Sequence, residues 1–307
     1  MASRSDLAGS TVLLTGARGF TGTYVKAELE QAGCRVVGLV IADPMADEVE
    51  LDLTDGAACR AVVETVRPDY VVHLAAISFV QHADAAEFYR VNVVGTTNLL
   101  QALADSGIAP RAALVASSAN VYGNAGGVLT EEQKPQPVNH YAASKLAMEH
   151  MAATFADRLP IVVTRPFNYT GAGQEERFLV PKIVSHFVRR EPFIELGNLD
   201  VERDFSDVRD VARIYRRLLE IGASSTAGQT VNVCSGRGYA LRQVIAAMQE
   251  IAGYEIEVRV NQSFVRESEV KTLVGSPLHL QSLIGKQAAI PLPQTLQWMH
   301  TSGGGLL

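Results

Sequence analysis

The sequence predicts an α/β fold in which a doubly wound parallel sheet is joined to a smaller mixed α/β lobe. Short β-branched runs alternate with amphipathic helical patterns through the first half of the chain. A glycine-rich segment separates the first such run from the first helix, and the regular alternation ends near residue 168. Strands separated by single helices imply right-handed crossovers, which produce a parallel sheet.

The first half can be assigned element by element from its composition. Apolar and β-branched runs predict buried strands at Thr11–Leu14, Arg35–Val40, Tyr70–Leu74, Ala112–Ala116 and Pro160–Thr164. Amphipathic runs predict helices at Thr21–Gln31, Gly56–Val66, Glu87–Asp105 and Tyr141–Ala156. We therefore expect residues 1–168 to form the main domain.

The second half predicts a substrate-binding lobe. Helical patterns cover Phe178–Arg190, Val208–Gly222 and Leu241–Ala252. Short strands are expected near Phe193–Leu196 and at Thr230–Cys234. We assign residues 169–307 mainly to this lobe, with the segments around 208–234 returning to the main domain.

Composition excludes several classes of function. A chain of 307 residues, 47% hydrophobic and 20% charged, is typical of a globular protein, and a net charge of −6 argues against broad nucleic-acid binding. No apolar run approaches the roughly 20 residues of a membrane span, and the polar start is unlike a secretory signal. The three cysteines lack metal-ligand spacing, which predicts reduced core residues in a cytoplasmic protein without a metal site: Cys34, Cys59 and Cys234.

The segment Thr15–Gly22 predicts a cofactor site. Gly16 permits a tight turn, Gly19 lets the backbone approach a pyrophosphate, and Gly22 allows the helix to pack closely on the sheet. Unpaired N–H groups at the helix start favour a phosphate there. The segment, with Phe20 among its contacts, therefore predicts a Rossmann-type domain that binds a dinucleotide.

The sequence favours NADP(H) as the cofactor and leaves NAD(H) possible. Val40 ends the second strand where an acidic residue would mark NAD preference, and Asp43 lies beyond the strand. Arg18 in the glycine loop is positioned to meet a 2′-phosphate. Further cofactor contacts are expected at two strand ends: Asp52, Leu53, Leu74, Ala75 and Ala76. We interpret the neighbouring His73 as structural.

Ser118, Tyr141 and Lys145 predict proton transfer to or from a carbohydrate oxygen. Tyr141 and Lys145 are four residues apart and therefore share one helical face. A tyrosine with a pKa near its usual value of about 10 is a poor base, so we expect a nearby ammonium group to lower that pKa. Ser118 would hold the substrate oxygen at the end of a strand.

These residues resemble those of the extended short-chain dehydrogenase/reductases that modify nucleotide sugars. The motifs T-G-x-x-G-F-x-G, H-L-A-A, S-S-x-x-V-Y-G, Y-x-x-x-K and R-P-F-N occur in family order between Thr11 and about Trp298. The resemblance implies that Asn92 supports a proton-relay water and that Asn168 contacts the sugar diphosphate. It also implies a homodimer formed by two long helices of each subunit.

Motifs of the second half resemble those of enzymes acting on GDP-mannose derivatives. They include F-N-Y-T-G-A-G-Q, G-N-L-D with R-D-F, V-C-S-G and V-R-E-S-E-V. The resemblance implies a GDP-sugar substrate and reduction of the C4 ketone of GDP-4-dehydro-6-deoxy-D-mannose to GDP-D-rhamnose. It implies diphosphate contacts by Arg203 and Arg266, a ribose contact by Glu269, and a place for Lys182 beside the nucleotide. Ser78 is expected at the sugar ring.

Several alternatives remain at this point. Related 4,6-dehydratases resemble this scaffold but carry a carboxylate where Asn120 stands, so we expect Asn120 to contact substrate without acting as an acid or base. A 4-epimerase that retains NAD would use the same three catalytic residues, and a GDP-heptose is another possible substrate. A non-catalytic nucleotide sensor is disfavoured because Tyr141 and Lys145 are both present. His140 replaces the proline that commonly precedes the tyrosine, and we expect it to fill the turn.

Overall fold

The computed structural model describes residues 7–79, 84–264 and 271–303. Up to residue 166 the elements are β1 (Thr11–Thr15), α1 (Phe20–Gln31), β2 (Arg35–Val40), β3 (Glu48–Glu50), α2 (Gly56–Val66), β4 (Tyr70–His73), α3 (Ala85–Tyr89), α4 (Thr96–Asp105), β5 (Ala112–Ala116), β6 (Gly127–Leu129), α5 (His140–Ala153) and β7 (Ile161–Pro166). The remaining elements are β8 (Asn168–Thr170), α6 (Leu179–Val188), β9 (Phe193–Leu196), β10 (Glu202–Asp207), α7 (Val208–Glu220), α8 (Ala223–Thr226), β11 (Thr230–Val233), β12 (Gly238–Ala240), α9 (Leu241–Ala252), β13 (Glu257–Val260), β14 (Thr272–Gly275), α10 (Leu278–Ile284) and α11 (Leu292–Thr301).

A seven-stranded parallel sheet forms the centre of the molecule, in the order β11-β7-β5-β4-β1-β2-β3. The predicted Rossmann-type α/β fold is therefore confirmed. The direction of strand order reverses between β1 and β4. In open sheets of this kind, ligands bind beyond the carboxyl ends of the strands at such a reversal.

Buried apolar side chains cover both faces of this sheet. Val12 and Leu14 pack into one buried cluster with α1 and α7, whereas Leu13 packs into another with α2, α4 and α5. All three side chains are completely buried. Successive strand residues point to opposite faces, so continuous apolar runs fit strands that are covered on both sides.

The second lobe is built on a smaller mixed sheet. Strands β12, β10, β14 and β6 lie side by side, β8 pairs with β10, and β9 pairs with β13 in a separate ribbon. Helices α6, α9 and α11 enclose a third core, which includes Ile183, Phe187 and Met248. Thr230–Val233 pairs with β7 in the main sheet, so this part of the second half belongs structurally to the larger sheet.

The long helix predicted at Glu87–Asp105 is not regular. It begins at Ala85 as α3, passes through a wider π-helical turn at Arg90–Gly95, and continues as α4. This turn contains Asn92, and π-helical turns are frequent at functional sites. Apolar periodicity alone cannot distinguish such a turn from the α-helix on either side.

The remaining structural expectations concern cysteines, metals and membranes. All three cysteines are buried, as predicted, and each is a free thiol. Within residues 7–79, 84–264 and 271–303, no group of His, Cys, Asp or Glu side chains is arranged to hold a metal ion. Over the same residues, no helix combines the length and the apolar character needed to cross a membrane.

Candidate active site

The glycine loop forms a cradle at the start of α1. Gly16 has a φ of 70°, and a Cβ there would lie 2.9 Å from the Ala75 nitrogen. At Gly22 a Cβ would lie 2.0 Å from the Gly16 carbonyl oxygen. Gly19 is the residue that precedes the helix, and it has no side chain to accept the first N–H groups. The helix start therefore offers N–H groups to an anion, as a dinucleotide pyrophosphate requires.

A cavity of about 360 Å³ continues from this loop along the ends of β1 and β2. Its walls include Gly16, Arg18, Gly19, Leu53 and Ala75 from the predicted cofactor set. Leu39, Val40 and Ile41 supply an apolar side suited to an adenine ring. This cradle and cavity fit the adenosine diphosphate half of a nicotinamide dinucleotide.

Two other predicted cofactor residues have local structural partners. The Asp52 carboxylate accepts hydrogen bonds from the Thr54 N–H and hydroxyl at 2.8 and 2.7 Å. The Leu74 and Ala75 N–H groups both donate to the Thr15 hydroxyl oxygen. These contacts fix the turns after β3 and β4 beside the cavity, and Ala76 follows in the same partly buried segment.

His73 has the structural role that we expected. Because the Thr15 oxygen accepts two backbone N–H groups, its own hydrogen is available to His73 Nδ1, 2.7 Å away. His73 Nε2 then donates to Thr96 Oγ1 at 2.7 Å. Burial lowers the pKa of this imidazole to about 3, so it is neutral at physiological pH.

Ser118 lies directly after β5, where a short 3₁₀ turn begins. Its oxygen accepts hydrogen bonds from the Asn120 backbone N–H at 3.2 Å and from Asn120 Nδ2 at 3.0 Å. A side-chain hydrogen-bond interaction with Ser118 also acts to lower the pKa of the buried Tyr141 hydroxyl. Since the serine oxygen already accepts twice, its own hydrogen is available to Tyr141 or to a substrate oxygen. The phenol then keeps its own proton for a further acceptor.

Tyr141 lies in the first turn of α5, one turn before Lys145. Asn139 caps this helix by accepting the Ala142 N–H at 2.8 Å, which fixes where the helix begins. His140 directly precedes Tyr141, and its Nδ1 lies 3.1 Å from the Tyr89 hydroxyl. The His140 and Tyr89 rings pack edge to face. His140 therefore packs at the helix start, where we expected it to fill the turn.

The expectation of a lowered tyrosine pKa is wrong for this structure. Burial raises the pKa of Tyr141 to about 12, and the hydrogen bond from Ser118 only partly opposes the rise. The Lys145 ammonium donates to the Ala116 carbonyl at 2.7 Å. Burial lowers the pKa of Lys145 to about 8, against the attraction of Glu149. Tyr141 is therefore held as a phenol, suited to donate a proton.

Asn92 connects the loop after β4 to α5. Its Oδ1 accepts the Ile77 N–H at 2.9 Å, and its Nδ2 donates to the Ile77 carbonyl at 3.2 Å and to Ser144 Oγ at 3.0 Å. The side chain is completely buried. A relay water held by Asn92 remains a prediction.

A buried polar network that the motifs do not reveal lies beneath the catalytic residues. Glu149 accepts two hydrogen bonds from Arg165, and its carboxylate also accepts the Ser117 hydroxyl. Arg165 donates further to the Tyr122 hydroxyl, which donates to Asn232 Oδ1 at 2.8 Å. Glu149 lies in a helix and Arg165 stands directly before a proline. No sequence pattern predicts that these two side chains form a contact.

The predicted substrate residues of the second lobe occupy separate elements. Asn168 is exposed on β8, and Arg203 lies on the adjacent β10 with Nη1 donating to the Glu202 carbonyl at 2.9 Å. Lys182 on α6 donates to the Glu195 carbonyl at 2.8 Å and lies 4.8 Å from the Phe264 ring centre. Ser78 is exposed after β4. The predicted contacts Arg266 and Glu269 lie outside the described residues.

The fold and this site define a Rossmann-type enzyme that uses a nicotinamide cofactor. Residues 12–234 match the NAD dependent epimerase/dehydratase family. The chain belongs to this family, and its relatives show it to be a nucleotide-sugar enzyme of the oxidoreductase type. The predicted resemblance to extended short-chain dehydrogenase/reductases is thereby confirmed.

Two relatives act on GDP-sugars. The chain is 38% identical over 276 residues to GDP-6-deoxy-D-talose 4-dehydrogenase of Aggregatibacter actinomycetemcomitans, covering 89% of this chain and 91% of that one. It is 36% identical over 242 residues to GDP-6-deoxy-D-mannose reductase of Pseudomonas aeruginosa, covering 75% and 78% respectively.

Solved structures show the same fold. A Burkholderia cenocepacia J2315 protein superposes with a TM-score of 0.91 at 48% identity, covering 97% of this chain and 99% of that one. RMD from Pseudomonas aeruginosa, solved with NADPH, has a TM-score of 0.85 at 31% identity, with 96% and 99% coverage. MoeE5, solved with UDP-glucuronic acid and NAD, has a TM-score of 0.83 at 28% identity, with 95% and 99% coverage.

Proposed function

We propose that this protein uses NAD(P)H to reduce the C4 ketone of GDP-4-dehydro-6-deoxy-D-mannose, forming GDP-D-rhamnose for glycan precursor synthesis. The observation that carries the proposal is the adjacency of the Ser118 hydroxyl and the Tyr141 phenol, with Lys145 one helical turn away. Asn120 beside this pair has no carboxylate, which favours redox chemistry over elimination. The two GDP-sugar relatives support the substrate class.

In this reaction the cofactor, when bound, supplies a hydride to sugar C4. On substrate binding the Ser118 hydroxyl would turn its hydrogen to the C4 oxygen and hold it, and Tyr141 would donate the phenolic proton to that oxygen as negative charge develops. Lys145 would stabilise the phenolate that results and help replace its proton. Water is kept from this step because Tyr141 and Lys145 are only 8% and 3% exposed.

The second lobe would bind the GDP portion. Asn168 and Arg203 lie on neighbouring strands, so both can face one diphosphate. Guanidinium groups bind phosphate oxygens in pairs, and Arg266 and Glu269 remain proposed partners for the diphosphate and ribose. Lys182 and Ser78 are proposed contacts at the two ends of the substrate.

We also propose a cytoplasmic homodimer. The helices expected at the subunit interface are the α3–α4 segment and α5. Apolar side chains on the first of these reach solvent in the single chain, with Tyr89 36% and Val94 47% exposed. Burial of such groups by a second copy would favour association.

A second product is favoured by the talose relative. 6-Deoxytalose and 6-deoxymannose differ only in configuration at C4, so one 4-ketone yields either sugar according to the face that receives hydride. A 4-epimerase that retains NAD is a further candidate, because it would use the same three side chains. A GDP-4-keto-heptose is the remaining alternative substrate.

The test is cofactor consumption with the ketone generated in place by a dehydratase, followed by NMR of the product. The proposal predicts oxidation of NADPH or NADH and GDP-D-rhamnose, recognised by large H3–H4 and H4–H5 couplings. Small couplings would identify the talose product instead. Absence of net consumption, with tightly bound NAD in the purified protein, would support the epimerase.

A further inference from the structure

The guanidinium of Arg18 is already bound within the protein. Its Nε lies 3.2 and 3.1 Å from the two carboxylate oxygens of Glu48, and its Nη2 lies 2.5 Å from Oε2 of the same group. Nη2 also donates to the Asp43 carbonyl at 2.5 Å, and Nη1 donates to the Ala42 carbonyl at 3.3 Å. Arg18 nevertheless forms part of the wall of the cavity of about 360 Å³ beside the glycine loop, where the adenosine diphosphate half of the cofactor would bind.

We propose that Glu48 sets the choice between NAD(H) and NADP(H) by holding Arg18 away from a 2′-phosphate. The inference deepens the proposed function and rests on its dinucleotide site. Glu48 lies on β3. The sequence had led us to look for an acidic residue at the end of β2, where Val40 stands.

Charge explains why the carboxylate would oppose a phosphate. A phosphate monoester carries about −1.5 to −2 charges at neutral pH. The Glu48 side chain is 5% exposed while the Arg18 guanidinium covers it. Were Arg18 to turn to the phosphate, Glu48 would lose its cation and its carboxylate would face the phosphate, which like-charge repulsion opposes. The 2′-hydroxyl of NAD(H) is neutral, so Glu48 does not repel it and Arg18 can stay paired with Glu48.

The backbone is shaped to bring these two residues together. Gly38 on β2 pairs with Glu48 on β3. A Cβ at Gly38 would lie 2.8 Å from the Ala17 Cβ and 3.3 Å from the Glu48 Cγ, so only glycine lets the loop and both strands approach this closely. The Met45 N–H donates to Glu48 Oε2 at 3.0 Å and holds the carboxylate in place.

The experiment measures nucleotide binding without sugar turnover. Isothermal titration of NADP⁺ and NAD⁺ would compare the protein with its Glu48→Gln, Arg18→Ala and doubly substituted variants, after removal of copurified nucleotide. Asp47→Asn is the matched control, because Asp47 neighbours Glu48 but pairs with Lys26. Thermal melting would establish that each variant is folded.

We expect Glu48→Gln to tighten NADP⁺ binding about tenfold while NAD⁺ binding changes less than about twofold. Arg18→Ala should remove that gain in the double variant, because the gain comes from the freed guanidinium. By itself, Arg18→Ala leaves the Glu48 carboxylate without its cation and should weaken NADP⁺ binding more than NAD⁺ binding. Asp47→Asn should leave the ratio of affinities near that of the unsubstituted protein.

Unchanged NADP⁺ affinity in Glu48→Gln would overturn the inference. So would NADP⁺ binding in the double variant as tight as in Glu48→Gln, because the gain would then not come from Arg18. An equal loss of NADP⁺ and NAD⁺ affinity in Arg18→Ala would also overturn it, and that result does not depend on folding of the Glu48 variant. Failure of the unsubstituted protein to bind either nucleotide would instead overturn the cofactor in the proposed function, and with it the role of Glu48.

Discussion

The carboxylate of Glu149 and the guanidinium of Arg165 form a buried pair, joined by hydrogen bonds of 3.0 and 2.7 Å, one helical turn beyond Lys145. Their side chains are 9% and 7% exposed. The pair connects α5 to β7, and Ser117 binds the same carboxylate. The catalytic helix and the strand end that carries Ser118 are therefore held by one charged contact.

Loss of this contact should destabilise the fold. Glu149→Ala leaves Arg165 buried without its anion, and we expect the free energy of unfolding to fall by about 3–5 kcal/mol. Urea denaturation measures the change. Glu257→Ala removes the acid of the exposed Arg259 pair and should have no measurable effect. Equal effects of the two substitutions would refute a structural role for the buried pair.

Tyr141→Phe should abolish most reduction while preserving the fold. The substitution removes the hydroxyl that donates the proton, so kcat should fall at least about a hundredfold. Dinucleotide affinity should change less than twofold, because the phenyl ring is retained. Steady-state kinetics and calorimetry check the two expectations, and undiminished kcat would remove Tyr141 from the mechanism.

Reduction should decline as the pH rises through about 8. Burial lowers the pKa of Lys145 to about that value, so the ammonium that supports Tyr141 is present below it and lost above it. The measurement is kcat/KM of the reductive reaction as a function of pH. Lys145→Arg keeps its charge, and any activity it retains should lack this decline. A level profile through and above pH 8 would contradict the assignment.

Asn120→Asp should slow reduction without creating a dehydratase. The amide Nδ2 donates to Ser118 Oγ, whereas an ionised carboxylate can only accept. The serine hydrogen would then turn to the carboxylate and away from Tyr141, and we expect kcat to fall about tenfold. Kinetics with the keto-sugar measure this change, and Asn120→Gln is the control that keeps the amide. An undiminished kcat in Asn120→Asp would show that Asn120 does not orient Ser118.

The sequence predicts the strands of the main sheet because each is a short apolar run between helices. Arg35–Val40 and Ala112–Ala116 are strands over the predicted residues. Several strands of the second lobe, including β10 and β14, were not predicted, since they are short and half polar and their pairing depends on distant segments. Local periodicity carries no information about such partners.

Sequence motifs located the catalytic side chains but not their electrostatic environment. Glu48 is 30 residues from Arg18, and no spacing rule joins them. The expected lowering of the Tyr141 pKa failed because burial, a property of the whole fold, outweighs its neighbours. Ion pairs and pKa values depend on packing, which a motif does not specify.

The central claim is tested most directly by the fate of the hydride. Cofactor dideuterated at nicotinamide C4 would be supplied with GDP-4-dehydro-6-deoxy-D-mannose, and the sugar product examined by NMR. We expect one deuterium at sugar C4 for each cofactor oxidised, and almost no product from Tyr141→Phe. A product without deuterium at C4, or turnover without net cofactor oxidation, would contradict it.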